Sequence, residues 1–567
     1  MIYNRLYYIV AAIVCFFTYL FGGYKDATQI DAKQYEIYEG GSCQVENGRI
    51  AIHDPSIMEL PNGEYYIFGT HCTAAKSTDL INWTSVASGT GDLNRMLVPE
   101  GKTLREVLSE PLSWTDAYQV VNNYPENEWQ TNVWAADVIY NPQMGKYCYY
   151  ASCSVWGTPA SVIWMATSDN IEGPYEYEDA VVYSGFNNRT VKNEYVRENS
   201  LHFSFTNIDN LLKNGTFKRD DVVNAPWFNL EGNYDHTVYP NCIDPALFYD
   251  EDGNLWMTYG SYFGGTYIMP MDEKTGMPDY KYMKSHNDYD MYFGKKLFNP
   301  NYYNDLSGEG PYIIYDKVTD YYYMFVTYKG LNALGGYNIR QFRSKTPDGL
   351  YYDSVGNTAL DWADSGIKLF GNYQFSSNDI AYLSGGHCSA MVTGDGKILL
   401  AYHTRFNVGH DGYETRIREL VRTQDGWLTA LPFEYLGDTV VDVAFTNENV
   451  SGEYEFIAHG NISNTCDSWA DVDNIIAPTQ SIILNKDGTI SNLKVYESVR
   501  NNTKVSYKNV AGSWKLIDGT PYIQITIDGI EYKGVLDIQK DETKEHKERI
   551  VFSLVGNNNE TLWGVKQ

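Results

Sequence analysis

Five residues carry the chemistry this chain could perform: Asp54, Asp137, Asp244, Glu309 and His387. Each opens a similar phrase, in which a polar residue is followed by a short hydrophobic run, a Gly-type turn and an aromatic-rich strand. Asp54 to Gly63, Asp244 to Gly253 and His387 to Gly396 share one offset of nine residues. A carboxylate is costly to bury unless it is paired or hydrogen-bonded. Several of them converging on one point would drive their pKa values apart, leaving a protonated acid beside an ionised base. Hydrolysis of a glycosidic bond requires that pair: one carboxylic acid protonates the leaving oxygen while another carboxylate activates water or attacks directly. A purely structural role, capping a strand end, suits a lone Asp-Pro. It does not suit Asp54, Asp244 and Glu309 together, each in its own Gly- or Pro-bearing phrase.

A hairpin repeated five times from a fixed polar position predicts a radial array, most simply a five-bladed β-propeller spanning about 50–440. In such an array the innermost strands surround one axis, so residues at equivalent strand positions converge on it. Residues 24–49 read as a lead-in. The stretches 90–130 and 186–240 are long and polar, and loops of that length often shape a binding cleft. Trp114, Trp129, Trp227 and Phe228 within them argue for packing rather than disorder. From 445 to 567 the text changes. Asp487-Gly488 and Asp528-Gly529 turns link alternating strands, and Trp514 and Trp563 fall in further strand patterns, predicting a small C-terminal β-barrel or sandwich. Helical periodicity is weak, so the fold class is all-β.

The net charge of −29 argues against nucleic acid, an anionic membrane surface or a polyanionic substrate such as unesterified polygalacturonate. Aromatics at 15%, with 50 Tyr and 13 Trp, favour β-sheet and also suit stacking against the C–H faces of sugars. Arg5 followed by an apolar run from Leu6 to about Phe21 reads as an export signal or uncleaved membrane anchor over 1–23, placing the bulk of the chain outside the cell or at its surface. The eight cysteines are dispersed, which predicts buried thiols rather than a disulfide framework. No C-x-x-C or H-E-x-x-H pattern suggests zinc.

Several phrases resemble glycoside hydrolase family 43: His53-Asp54-Pro55-Ser56-Ile57, Trp134-Ala135-Ala136-Asp137, Ile243-Asp244-Pro245-Ala246-Leu247-Phe248, Tyr259-Gly260-Ser261-Tyr262-Phe263-Gly264-Gly265 and Ser307-Gly308-Glu309-Gly310-Pro311. Tyr328-Lys329-Gly330-Leu331-Asn332, Gly336-Tyr337-Asn338-Ile339-Arg340 and Gly385-Gly386-His387 are most similar to its two-domain, extracellular members that cleave α-1,5-arabinan in endo fashion. The resemblance implies an inverting propeller enzyme acting on arabinan as a monomer. In it Asp54 would be the general base, Glu309 the general acid, and Asp244 the residue that tunes the acid and orients the sugar. His387 would face a calcium ion on the axis, held largely through water. Trp134, Trp156, Ser261 and Tyr262 would contact substrate, and Asp137 would be structural. The usual Trp-Ala-Pro-Asp phrase reads Trp-Ala-Ala-Asp here. The long loops leave two other activities on the same scaffold, an exo-acting arabinofuranosidase or a β-xylosidase. A glycan-binding propeller without catalysis is the alternative from outside the enzymes. The Trp-Met-Asn-Asp-Pro phrase of fructan-active propellers is missing.

Overall fold

Each of the five repeated phrases folds into an antiparallel meander whose first strand lies innermost. The computed structural model describes residues 49–125, 132–189, 201–300, 307–361, 365–378, 380–437, 444–460, 465–497 and 506–567; the N-terminal apolar run, most of the lead-in and Trp129 lie outside them. Blade I comprises Ser56–Glu59, Tyr65–Gly69, Thr73–Ser77 and Thr84–Ala87, and blade II Val133–Asn141, Lys146–Ser154, Ser161–Ser168 and Glu176–Ser184. Blade III runs Ala246–Tyr249, Leu255–Ser261, Gly265–Asp272 and Met277–Pro278, with Lys295–Phe298 as an extra strand on Gly265–Asp272. Blade IV is Ser307–Asp316, Tyr321–Tyr328, Asn338–Ser344 and Ile367–Lys368; blade V is Tyr382–Val392, Ile398–Phe406, Tyr413–Arg422 and Leu428–Ala430.

The nine-residue offset has a backbone cause at both ends. Gly63, Gly253 and Gly396 turn the hairpins with φ of 82°, 83° and 89°, a region L side chains rarely enter. At the other end Asp54, Asp244 and His387 also adopt positive φ, of 54°, 55° and 43°. The same kink falls on Ala135 in blade II (46°) and Gly310 in blade IV (57°). The axial residues are therefore Asp54, Ala135, Asp244, Gly310 and His387. This corrects the expectation that all five polar residues are equivalent: Glu309 precedes its axial residue by one, and Asp137 follows its own by two. The reason is bulging at the strand starts, where register slips between Trp134 and Asp137, between Glu309 and Tyr312, and between Gly386 and Cys388.

Asp137 consequently drops below the mouth and staples three blades. It accepts hydrogen bonds from the Ser56 hydroxyl of blade I and, at 2.6 Å, from the Leu247 amide of blade III. Ser389 of blade V accepts from the Ile57 amide at 2.9 Å. The ring is closed where residues 49–52 run along blade V: Ile52 and Thr415 exchange hydrogen bonds, and Arg49 pairs with the buried Glu434.

Both polar insertions pack on the flanks. Within the first, Ser109–Val121 is helical and buries Trp114, whose indole donates to the Ser184 carbonyl at 3.1 Å and meets Tyr183 edge-on. That helix runs against the all-β expectation only locally, because its one dominant anchor leaves little periodic signal to read. Within the second, Trp227 packs with Phe186, Phe228, Tyr292 and Phe293 between blades II and III.

The C-terminal unit is a closed eight-stranded antiparallel barrel: Gly452–Ala458, Gln480–Leu484, Thr489–Ser491, Gly512–Leu516, Tyr522–Ile527, Ile530–Lys540, Glu548–Gly556 and Thr561–Lys566, the last pairing back to the first. Strand Tyr522–Ile527 shows why the sequence folds this way: Ile523, Ile525 and Ile527 point inward while the residues between are partly exposed. Eight strands leave an interior just wide enough to be filled by side chains, here Tyr454, Phe456, Trp514, Leu536, Phe552 and Leu554 among others. The barrel docks on blades IV and V through Trp563, which packs with Phe370, Tyr373 and Phe375 and donates to the Ala430 carbonyl at 2.7 Å. Glu542 adds bonds from the Tyr382 hydroxyl and the Glu434 amide, both 2.9 Å. Among the described cysteines none is bonded to another, and Cys72, Cys148, Cys153, Cys242 and Cys388 are buried. No described helix is long and apolar enough to cross a membrane.

Candidate active site

The axial kinks bring Asp54, Asp244, Glu309 and His387 together at one end of the propeller. The blade-start phrases alone line a cavity of about 20 Å³ there, with Asp54, Asp244, Gly310 and His387 around it and Asp137, Ser56 and Tyr312 behind. Gly310 is required by close approach, since a Cβ on it would lie 2.9 Å from the His387 ring.

Asp54 is buried and held on both oxygens. One accepts from His53 Nδ1 at 2.7 Å and His387 Nδ1 at 3.0 Å, while the other accepts from the Thr70 hydroxyl. Thr70 in turn accepts from the Ala135 amide at 2.9 Å, so blade II fixes Asp54 of blade I. Arg405 can only donate, and its Nη2 lies 3.3 Å from His53 Nε2; His53 therefore carries its proton on Nδ1, toward Asp54. The Asp54 amide donates to His403 Nδ1 at 3.2 Å, which leaves the His403 proton on Nε2. Burial would raise the Asp54 carboxyl, but His387 and His53 outweigh it and hold it well below the ordinary carboxylate range. Burial lowers both His53 and His403, which stay neutral.

Glu309 is treated in the opposite way. Burial, reinforced by the negative charge of Asp244, pushes its carboxyl up to about 8. The Tyr337 hydroxyl donates to Glu309 Oε1. Asp244 is itself pushed up to about 6, by burial and then by Asp54 against the opposing pull of His387, and it accepts from the Gly310 amide at 3.2 Å. Burial would lower His387, but Asp54 and Asp244 raise it to about 9. At neutral pH the site thus holds an ionised Asp54, a protonated Glu309 and an imidazolium between them. One mouth contains an ionised and a protonated carboxyl, the pair of states that general acid–base chemistry needs.

Trp134 and Trp156 meet edge-on, with ring centroids 5.5 Å apart, and Trp156 is 38% exposed. The Tyr262 hydroxyl donates to the Lys329 carbonyl at 2.6 Å. Ser261, at 3% exposure, lies behind it at the strand end. Sequence reasoning gave no role to Thr70, His53, His403 or Tyr337. The signal was present: His53 adjoins Asp54, and Tyr402-His403-Thr404-Arg405 puts charge into an otherwise apolar inner strand. Among the described residues, one set close enough to share an ion is His53, Asp54 and His403, beside His387 rather than including it.

A five-bladed propeller with an ionised and a protonated carboxyl at one mouth has the arrangement that glycoside hydrolysis requires. Residues 212–428 match the model of the glycosyl hydrolases family 43, and residues 432–564 match its C-terminal lipocalin-like domain. The chain is 34% identical over 529 residues to an extracellular endo-α-(1→5)-L-arabinanase of Thermotoga petrophila, covering 91% of this chain and 93% of that protein. It is 33% identical to extracellular endo-α-(1→5)-L-arabinanase 2 of Bacillus subtilis over 91% and 93% of the two chains. The crystal structure of the Thermotoga petrophila endo-1,5-α-L-arabinanase superposes with a TM-score of 0.70 at 33% identity, covering 92% of this chain and all of that one. The chain belongs to glycoside hydrolase family 43.

Proposed function

We propose that the protein is an exported endo-α-1,5-L-arabinanase. The observation that carries the reading is the opposed state of two carboxylates at one mouth, Asp54 held anionic and Glu309 held protonated. High-coverage similarity to extracellular endo-arabinanases supports the substrate, the mode of cleavage and the location. Glu309 gives its proton to the departing 5-oxygen as Asp54 takes one from the attacking water, which inverts the anomeric centre. Asp244 keeps Glu309 protonated until the sugar arrives. Trp134 and Trp156 offer faces for the sugar chain, and the turn at Ser261 and Tyr262 offers a further contact.

Calcium belongs to the same proposal. The axial cavity has room for one water-sized occupant, and the flanking Asp54 and Asp244 supply the oxygen and negative charge that calcium prefers, beside His387. A bound cation would supply positive charge that favours the ionised form of Asp54. An imidazolium repels a cation, so loading requires His387 to give up its proton. Ca2+ binding by calorimetry that strengthens as pH rises and is weakened in His387→Ala would support this; equal binding by both proteins would remove His387 from the site.

The deciding experiment is digestion of linear debranched arabinan with products resolved by chain length. Early release of mixed oligosaccharides is expected. Arabinose alone from the chain end would mean exo cleavage, and binding without products a glycan-binding protein.

A further inference from the structure

The barrel does more than dock. Between its strands Gly452–Ala458 and Gln480–Leu484 the chain makes a long excursion whose described parts are 459–460 and 465–479; the second includes the short 3₁₀ segment Trp469–Ile475 and lies against the propeller. Val472 and Ile475 are buried there with Ala333, Ala381 and Leu383, and Leu334, Cys466, Trp469 and Ile476 complete the cluster. Backbone bonds fix the contact: the Cys466 amide donates to the Leu334 carbonyl at 3.2 Å, the Ala477 amide to the Asn372 carbonyl at 2.9 Å, and the Asn372 side chain to the Ile475 carbonyl at 3.2 Å.

The propeller segment held in this way is the loop 329–337, and both ends of it reach the site. At its start the Lys329 carbonyl receives the Tyr262 hydroxyl. At its end Tyr337 donates to Glu309. Its middle is pinned from the far side as well, because the Ala333 amide donates to Asp411 at 2.6 Å and the Ser384 hydroxyl to the Ala333 carbonyl at 3.0 Å. Asp411 lies 3.5 Å from Arg405 Nε, and Arg405 sets the tautomer of His53 on Asp54. The loop is Gly-rich, with Gly330, Gly335 and Gly336, and a chain of that composition has little conformational preference of its own. Its internal bonds, from the Gly330 amide to the Gly335 carbonyl and from the Gly335 amide to the Asn332 carbonyl, close its turn, and its placement against the site comes from what packs on it.

We propose that residues 466–477 of the C-terminal domain are a positioning element for the general acid, setting Tyr337 on Glu309 through the loop 329–337. Val472 and Ile475 are its positioning residues; neither touches substrate. The inference rests on the reading of Glu309 as the acid.

The test is leaving-group dependence. Arabinan must have its departing oxygen protonated, whereas a 2,4-dinitrophenyl α-arabinotrioside releases a stable phenolate without acid help. The double variant Val472→Ala/Ile475→Ala should lose about tenfold in kcat on arabinan and retain its rate on the dinitrophenyl substrate. Tyr337→Phe should show the same asymmetry. Ser354→Ala removes a different barrel contact, the bonds to the Gly556 carbonyl and the Asn559 side chain, and should leave both rates unchanged. Equal losses on both substrates with an unchanged melting temperature, or a rise in KM with kcat intact, would overturn positioning of the acid. No loss on either, in a folded variant, would overturn it too. If Glu309→Gln itself lacks the asymmetry, the acid assignment fails rather than the role of the barrel.

Discussion

The propeller mouth and the barrel interior are built from the same kind of strand, yet they place their strain differently. Among the described residues of the barrel, non-glycine residues with positive φ are Asn492, Asp528, His546 and Asn559, outside the strands. Its interior is apolar, and Gly564 leaves room for the Phe552 ring. In the propeller, positive φ falls on turn and loop residues such as Leu80, Asn123 and Asp320, but also on Asp54, Ala135, Asp244 and His387, on the axis itself. Such residues cost of order 1–3 kcal/mol each and persist only where the surroundings over-determine them. The barrel spends its backbone freedom on turning; the mouth spends it on aiming carboxylates and an imidazole at one point.

The largest expected effect tests what the mouth is for. Glu309→Gln should lower kcat on arabinan by roughly 10²–10⁴-fold with affinity retained, since only proton donation is removed. Near-normal turnover by this variant would sink the acid assignment. Reversible binding can be followed by affinity electrophoresis in arabinan gels.

A pair of substitutions then opposes the two regions directly. Phe552→Ala, in the barrel, should cost about 3–5 kcal/mol of stability through lost burial and the cavity left behind. Asp244→Gly, in the mouth, removes both a buried carboxylate and a positive-φ side chain, and should raise stability by about 1 kcal/mol while abolishing activity. Denaturant melts of the two variants would show opposite signs. A destabilised Asp244→Gly would mean that its bond from the Gly310 amide outweighs the strain.

The acidity of the mouth gives the next test. The acid must carry its proton, so kcat/KM should fall as pH rises through about 8, where Glu309 ionises. It should also fall as pH drops through about 6, where Asp244 takes up a proton and no longer orients the sugar as an anion. Tyr337 donates to the Glu309 carboxylate and so favours its ionised form; Tyr337→Phe should move the alkaline limb to higher pH. Asp244→Asn removes the adjacent negative charge and should move that limb lower, at reduced rate. Shifts of the same sign in both variants would break this account.

These contrasts also explain what the sequence could tell. The repeat was legible because Gly63, Gly253 and Gly396 are demanded by turn geometry at one spacing from Asp54, Asp244 and His387. Alternation gave the barrel, since Ile523, Ile525 and Ile527 must face one way. The pairing of Glu309 and Asp137 with the other axial residues was misread, because a bulge shifts register by one or two without changing the pattern of residue types. Thr70 and Tyr337 stayed hidden for a different reason. Each reaches the site from another strand or blade, through contacts that no local spacing encodes.

The smallest predicted effect concerns one of the two axial phrases, those of blades II and V, that lack a proline after the positive-φ residue. In blades I, III and IV the positive-φ residue is followed by proline: Asp54-Pro55, Asp244-Pro245 and Gly310-Pro311. Blade II has Ala136 at that place, after Ala135 with φ of 46°. Because the preceding residue already has the conformation that tolerates proline in three sibling blades, Ala136→Pro should fit without strain and reduce the freedom of the unfolded chain. The expected gain is about 0.4–1 kcal/mol, read as a small upward shift in melting temperature. Activity should hold, since Asp137 would keep its bonds to Ser56 and Leu247. A destabilised variant would show that the bulge between Trp134 and Asp137 needs the Ala136 amide, and that blade II is a different solution to the same corner rather than a weakened copy.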